Sequence, residues 1–231
     1  MTKKEVINLF YSQNRATLNK ENETKLFYST LRYLKTDEVG EIYTILGRMY
    51  YEGFCVEQNY TRARKLFIYG SRKNNAEALA YLGYCHYYGR EIDKNYAYAF
   101  HYFTKSANQN NHCAIYKLGD MYKYGYHVKA DEYKALNYYK KALKLINDAS
   151  TEYPNILSRI GDCVLDGIGC DKDPLKALLY LNESEFSAYK LLLKGDPYAH
   201  LTLGFINDAQ TKAKKILNDI HSNYAHNVKY T

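Results

Sequence analysis

The stretch YLGYCHYYGREIDKNYAYAFHYF, residues Tyr81–Phe103, carries the pattern on which the fold turns. Leu82 and Gly83 are followed six residues later by a second glycine, Gly89; Asn95, Ala99 and Phe103 then stand six, ten and fourteen residues beyond it. The same order occurs three more times. ILGRMYYEG ends at Gly53, KLGDMYKYG at Gly125 and RIGDCVLDG at Gly167, which spaces the first glycines Gly47, Gly83, Gly119 and Gly161 by 36, 36 and 42 residues. A fifth, weaker copy starts at LTLG with Gly204 and lacks the second glycine. Self-similarity at this period marks stacked supersecondary units, each unable to bury its apolar surface alone.

Within each unit the residue types assign the elements. Ile42, Leu46 and Tyr50 recur at helical spacing around Gly47, which makes this segment a helix, here called helix A. The second glycine suits a backbone leaving the helix with positive φ. Asn59, Asn95, Asp131 and Asp173 are residue types that cap helix N-termini, and Pro174 directly after the last of them fits the first helical position. Helix B starts there. Its Ala63, Ala99, Ala135 and Ala177 precede Phe67, Phe103, Tyr139 and Leu181 by one turn, a packing stripe. A glycine inside helix A costs about 1 kcal/mol against alanine. The expected compensation is close approach of the helix A glycine to the helix B alanine.

The predicted architecture is all-α, an α/α solenoid of stacked helix pairs. Residues 1–40 form a capping helix pair, with Leu26, Phe27, Leu31 and Leu34 expected on one face. Residues 41–197 hold the four repeats. Residues 198–231 hold the degenerate fifth copy and a closing helix, Thr211–Tyr224, with Ile216, Leu217 and Ile220 expected inward. The longer spacing after units three and four places extra residues in helix B or its following loop, around Asn147–Tyr153 and Glu183–Gly195.

The order Leu-Gly, second Gly, cap, then Lys-Ala and a large apolar residue resembles the Sel-one-like repeat of the tetratricopeptide-like superfamily, and GIGCDKDPLKALLYL, ending at Leu181, matches it best. Units one and two depart from it two places after the second glycine, where the family has another glycine, which leaves their loop shape open. The resemblance implies a right-handed α/α superhelical solenoid of tetratricopeptide-like helix pairs, with helices A lining a concave face, and a non-enzymatic scaffold or adaptor binding a peptide or helix of another protein. Transferred from related helix-pair repeats, the partner-binding candidates are Arg48, Tyr51, Tyr84, Tyr87, Tyr88, Tyr116, Asp120, Lys123, Tyr124 and Asp162. Tyrosine gives large contact area with a polar tip. With 28 tyrosines in the chain, the cluster is also compatible with composition alone. Asp120, Asp162 and Asp166 suggest an acidic end suited to a Lys- or Arg-bearing ligand.

Other chemistries find little support. The net charge of +7 comes from 32 basic and 25 acidic residues mixed along the chain, and Lys140–Lys144 and Lys212–Lys215 read as solvated helix faces. A basic nucleic-acid-associated factor is the alternative, and a hydrolase ranks below it. The five cysteines follow no disulfide framework. Cys85-His86 and His112-Cys113 sit at different repeat positions, so no metal site is expected; Cys163 shares its position with Met49, Cys85 and Met121 and reads as core. No cofactor motif, membrane-length apolar stretch or signal-type segment is present, so a cytoplasmic location is expected, with signal-independent export also compatible.

Overall fold

The computed structural model describes residues 1–12, 17–196 and 199–228, and the described residues are all-helical and turn. Eleven α-helices occur among them: α1 Lys3–Phe10, α2 Lys20–Tyr33, α3 Glu41–Glu52, α4 Tyr60–Arg72, α5 Ala76–Tyr88, α6 Tyr96–Ala107, α7 His112–Tyr124, α8 Glu132–Leu143, α9 Tyr153–Asp166, α10 Pro174–Leu193 and α11 Ala199–Val228. Helices α3, α5, α7 and α9 are the four helices A; α4, α6, α8 and α10 are the helices B. Two compact units divide the chain, Met1–Leu118 and Gly119–Thr231. The predicted boundary between residues 197 and 198 lies outside the described residues.

The four interhelical loops are built alike. Gly53, Gly89, Gly125 and Gly167 take φ of +68° to +76°. The next N–H returns to the carbonyl five residues back, as in Phe54 to Met49 and Arg90 to Cys85. The cap residue's own N–H then closes the loop, from Asn59, Asn95, Asp131 and Asp173 to Tyr50, His86, Tyr122 and Val164. Two places after the second glycine, Cys55, Glu91 and His127 adopt the left-handed conformation that Gly169 adopts in the fourth loop. The missing glycine therefore leaves the loop shape unchanged; the closing hydrogen bonds hold a non-glycine residue in a conformation it seldom takes.

Each predicted cap works. The side-chain oxygens of Asn59, Asn95, Asp131 and Asp173 accept from the N–H three residues on, at 2.8, 3.0, 2.9 and 2.9 Å. Asn95→Ala is expected to lower stability by about 1 kcal/mol, read by urea unfolding; no change would mean that the cap bond contributes nothing. Asp131's carboxyl is held below the usual carboxylate range, first by the Lys134 N–H. That support is present at neutral pH and fades as pH falls through the lowered value.

Helix A and helix B meet as a ring on a bare backbone. A Cβ built on Gly47, Gly83 or Gly119 would lie 2.5–2.6 Å from the ring of Phe67, Phe103 or Tyr139, and one on Gly161 would lie 2.9 Å from Leu181. The seat is filled by the large residue of helix B, not by its alanine as the sequence suggested. Alanine sits one turn earlier because its small side chain lets the backbones close, as where the Ala135 carbonyl comes within 3.2 Å of that Cβ position on Gly119. A further small position, Gly70, Ser106, Ala142 and Ser184, lies seven residues after the alanine. There Ser106 and Ser184 donate from Oγ to the carbonyls of Ala76 and Pro154, each at 2.6 Å, tying helix B to the start of helix A.

At the N-terminal end Val6, Phe10 and Leu26 pack with Ile42, Ile45, Leu46 and Met49. Leu31 does not join them; it is 37% exposed. The closing helix is not separate either. Gln210 stands where the fifth copy would have its second glycine, is buried, and donates from Nε2 to Asn182 and Glu185 at 3.0 and 2.8 Å. Without a glycine to turn the chain, α11 runs straight through this point. Ile220 is 55% exposed, and Ile216 and Leu217 are half-buried. The extra residues of unit three form the turns at 147–151, whereas those of unit four extend α10 to 20 residues.

Candidate functional site

In the first compact unit the candidate residues sort into two groups. Arg48 is already engaged: its Nη1 holds Glu77 at 2.7 Å, its Nη2 and Nε hold Glu52 at 2.8 Å, and it lies 4.9 Å over the Phe10 ring. Tyr81 donates to Glu52 and Tyr11 to Glu77. Although burial opposes its charge, Tyr81, Glu52 and Glu77 hold the Arg48 guanidinium above its ordinary range. This network ties α1, α3 and α5 together, so Arg48 supports the face instead of offering a charge to a ligand.

The tyrosines form a connected layer. Tyr51 meets Tyr60 and Tyr81 edge-on, Tyr81 meets Tyr84, and Tyr84 stacks on Tyr88 at 6.1 Å. Tyr87 meets Tyr88 and Tyr96 edge-on. Tyr84 and Tyr87 both rest on Phe103, the ring that fills the Gly83 seat, so the repeat's core contact also orients the surface rings. Tyr88 is 40% exposed, while Tyr116 is buried at 9%. Two cations lie on this layer: Lys117 Nζ is 4.8–5.3 Å from the rings of Tyr87, Tyr88 and Tyr116, and the Arg90 guanidinium is 4.9 and 5.4 Å from those of Tyr60 and Tyr88.

The second unit corrects the expected acidic end. Asp120 is 1% exposed, accepts from the Tyr139 hydroxyl at 2.8 Å and pairs with Arg159 at 3.0 Å. Asp162 pairs with Lys123 at 3.9 Å and Asp166 with Lys212 at 2.6 Å. Burial pushes the Asp162 carboxyl up, and Lys123 and Arg159 partly offset it. Each carboxylate thus meets a cation from this chain, and Lys212, expected on a solvated face, supplies one of them. Tyr124 is 48% exposed.

Sequence reasoning missed the position two residues before the helix A glycine. It holds buried Ile45 in unit one but Tyr81, Lys117 and Arg159 in the others, and each of these three organises the polar groups around it. The signal was the substitution of polar residues where the first repeat has an apolar one.

The Sel1 repeat matches residues 43–75, 76–111, 114–147 and 157–184, which together make up more than half of the chain. The chain belongs to the Sel1 repeat family. Each Sel1 match takes in most of one helix pair, and the copy at Gly204 lies beyond the last of them. Among solved structures, a Sel1 repeat protein from Oxalobacter formigenes is similar over 96% of this chain and 88% of that one, with 21% identity and a TM-score of 0.64. The protein c5321, described as a protective antigen present in uropathogenic Escherichia coli strains displaying an SLR fold, is similar over 91% of this chain and 56% of that one, with 20% identity and a TM-score of 0.55. A search of curated proteins returns no match. Sel1 repeat proteins generally mediate protein–protein interaction, and the fold is typically a non-catalytic scaffold.

The cysteine positions of these Sel1 repeats agree with a packing role. Cys85 and Cys163 are fully buried, as are Met49 and Met121 at the same repeat position. Burial pushes the Cys85 thiol up to about 12 and the Cys163 thiol up to about 11, the opposite of an activated nucleophile. His86 lies parallel to Tyr102 at 5.7 Å, and Tyr122 lies on Tyr138 at 5.5 Å one repeat later. Desolvation and then Arg64 lower the His86 pKa. Among the described residues no helix is long and apolar enough to cross a membrane.

Proposed function

We propose that the chain is a protein-interaction module whose binding face in the first unit is the tyrosine layer of Tyr51, Tyr84, Tyr87, Tyr88 and Tyr116, receiving a peptide or helix of another protein. In the second unit the corresponding contact is Tyr124, with Lys123 and Asp162 beside it. The observation that supports this most is the state of the rings before any partner arrives. Tyr84 and Tyr87 are held by Phe103 and present Tyr88, so little side-chain freedom is left to lose on binding. Aromatic groups fixed in this way commonly dominate binding energy. Arg90, lying on those rings, favours a partner segment with a carboxylate next to its apolar residues.

Tyr88→Ala is the variant of choice, because Tyr84 and Tyr87 also support Phe103. Affinity capture from native cells with mass spectrometry of the bound proteins is expected to lose its main specific partner, with at least about a tenfold fall in recovery. The helical circular dichroism signal should stay unchanged. Undiminished capture by Tyr88→Ala would exclude this face.

A further inference from the structure

The outward face of α10 differs from those of the other helices B. Two, six and thirteen residues after the cap, α4 and its following residue positions hold Thr61, Lys65 and Arg72; the second repeat holds Ala97, His101 and Asn108; the third holds Tyr133, Asn137 and Lys144. The fourth holds Leu175, Leu179 and Phe186, which are 62%, 65% and 63% exposed. The helix extension adds Tyr189 and Leu193, at 50% and 89%. Counting Asn182, these residues are separated by four, three, four, three and four positions, the spacing of a coiled-coil seam. The core side of α10 is satisfied separately, by Ala177, Leu181, Ser184, Ala188 and Leu191. One helix therefore carries two apolar stripes, and only one is packed within the second unit.

The charges beside the open stripe say what fits it. Lys176, Glu183 and Lys190 recur every seven residues along one edge. Lys190 holds Asp148 at 3.3 Å and lies 4.5 Å over the Phe186 ring, and Glu183 accepts from the Tyr153 hydroxyl with its other oxygen open; Lys176 and Glu183 are the pair of opposite sign nearest the stripe's N-terminal half. In an antiparallel pair of α10 helices related by a two-fold axis and offset by one heptad, Leu175 of one copy lies against Phe186 of the other. Leu179 then lies against Asn182, and Lys176 against Glu183, each contact occurring twice. Full overlap would instead oppose Lys176 to Lys190 and Glu183 to its own equivalent.

We propose that the N-terminal part of this stripe, Leu175 to Phe186, docks a second copy of the same chain, through antiparallel α10 helices in the offset register. A two-helix seam of this length falls at the small end of specific interfaces, below about 1,200 Å² of buried surface, so the association is weak and reversible.

Sedimentation equilibrium of the full chain over a wide range of concentration tests it. The average mass is expected to rise from 27.0 kDa towards twice that value. Leu179→Glu or Phe186→Glu should hold it at the monomer value with unchanged helical signal, since both side chains are on the surface. Lys176→Glu should weaken association, and adding Glu183→Lys should restore it, because the swap re-creates both pairs. A chain that stays monomeric throughout, association that survives Phe186→Glu, or a double swap that fails to recover what the single change lost would each overturn the proposal.

Discussion

Gly83→Val is expected to lower the free energy of unfolding by about 3 kcal/mol or more, the upper end of the range for overpacking a core. The Cβ of any substituent at 83 lies 2.5 Å from Cδ1 and Cε1 of Phe103, which is fully buried and wedged against Tyr84 and Tyr87. The ring has no free volume to enter, and valine adds two more methyl groups that drive it out. Gly83→Ala combined with Phe103→Ala should cost less than the sum of the two single changes, because the second removes the atoms the first collides with. Additive costs, measured by urea unfolding, would show that the glycine and the ring do not meet. Loss of binding should accompany loss of stability here, since Phe103 also carries Tyr84 and Tyr87.

The second large effect is expected at Asp120. Asp120→Ala should destabilise the second unit by about 3 kcal/mol, near the lower bound for breaking a buried ion pair. Arg159 is 27% exposed and can turn its charge towards water, which reduces the penalty; the Tyr139 hydroxyl, fully buried, cannot. Asp120→Asn keeps an acceptor for that hydroxyl and should recover part of the loss. Equal destabilisation by Ala and Asn in thermal unfolding would assign the effect to charge alone.

How far the fold could be read ahead differs by kind of residue. Gly53, Gly89, Gly125 and Gly167, and the four caps, act through their own backbone and the next few residues, so their roles were visible in the sequence. The helix A glycines were visible as well, but not what faces them: whether the neighbour is Ala99 or Phe103 depends on how two helices cross, which spacing alone leaves undetermined. The end of the array was misjudged at Gln210, where the absence of a glycine removes a turn that the repeat pattern otherwise implies.

The candidate site was less legible. Exposed Tyr88 and Tyr124 stand at positions taken from related repeats, but Arg48 and Asp120, at another position taken from them, are used up inside the structure. Their partners Glu77 and Arg159 come from the following helix A, 29 and 39 residues away. No local pattern marks such pairs. Lys117 and Arg90 were missed for the same reason: their place on the tyrosine rings arises only once helix pairs stack.

The account rests on the claim that one glycine seat recurs in every complete repeat, filled each time by the large helix B residue at the same repeat position. Urea unfolding of five single variants, Gly47→Ala, Gly83→Ala, Gly119→Ala, Gly161→Ala and Gly204→Ala, tests this most directly. The first three should be destabilised most, and Gly161→Ala less, because Leu181 is more flexible than a ring. A Cβ at Gly204 meets nothing within 4 Å, so Gly204→Ala should gain up to about 1 kcal/mol from helix propensity alone. Five variants that shift stability alike, in either direction, would contradict the account.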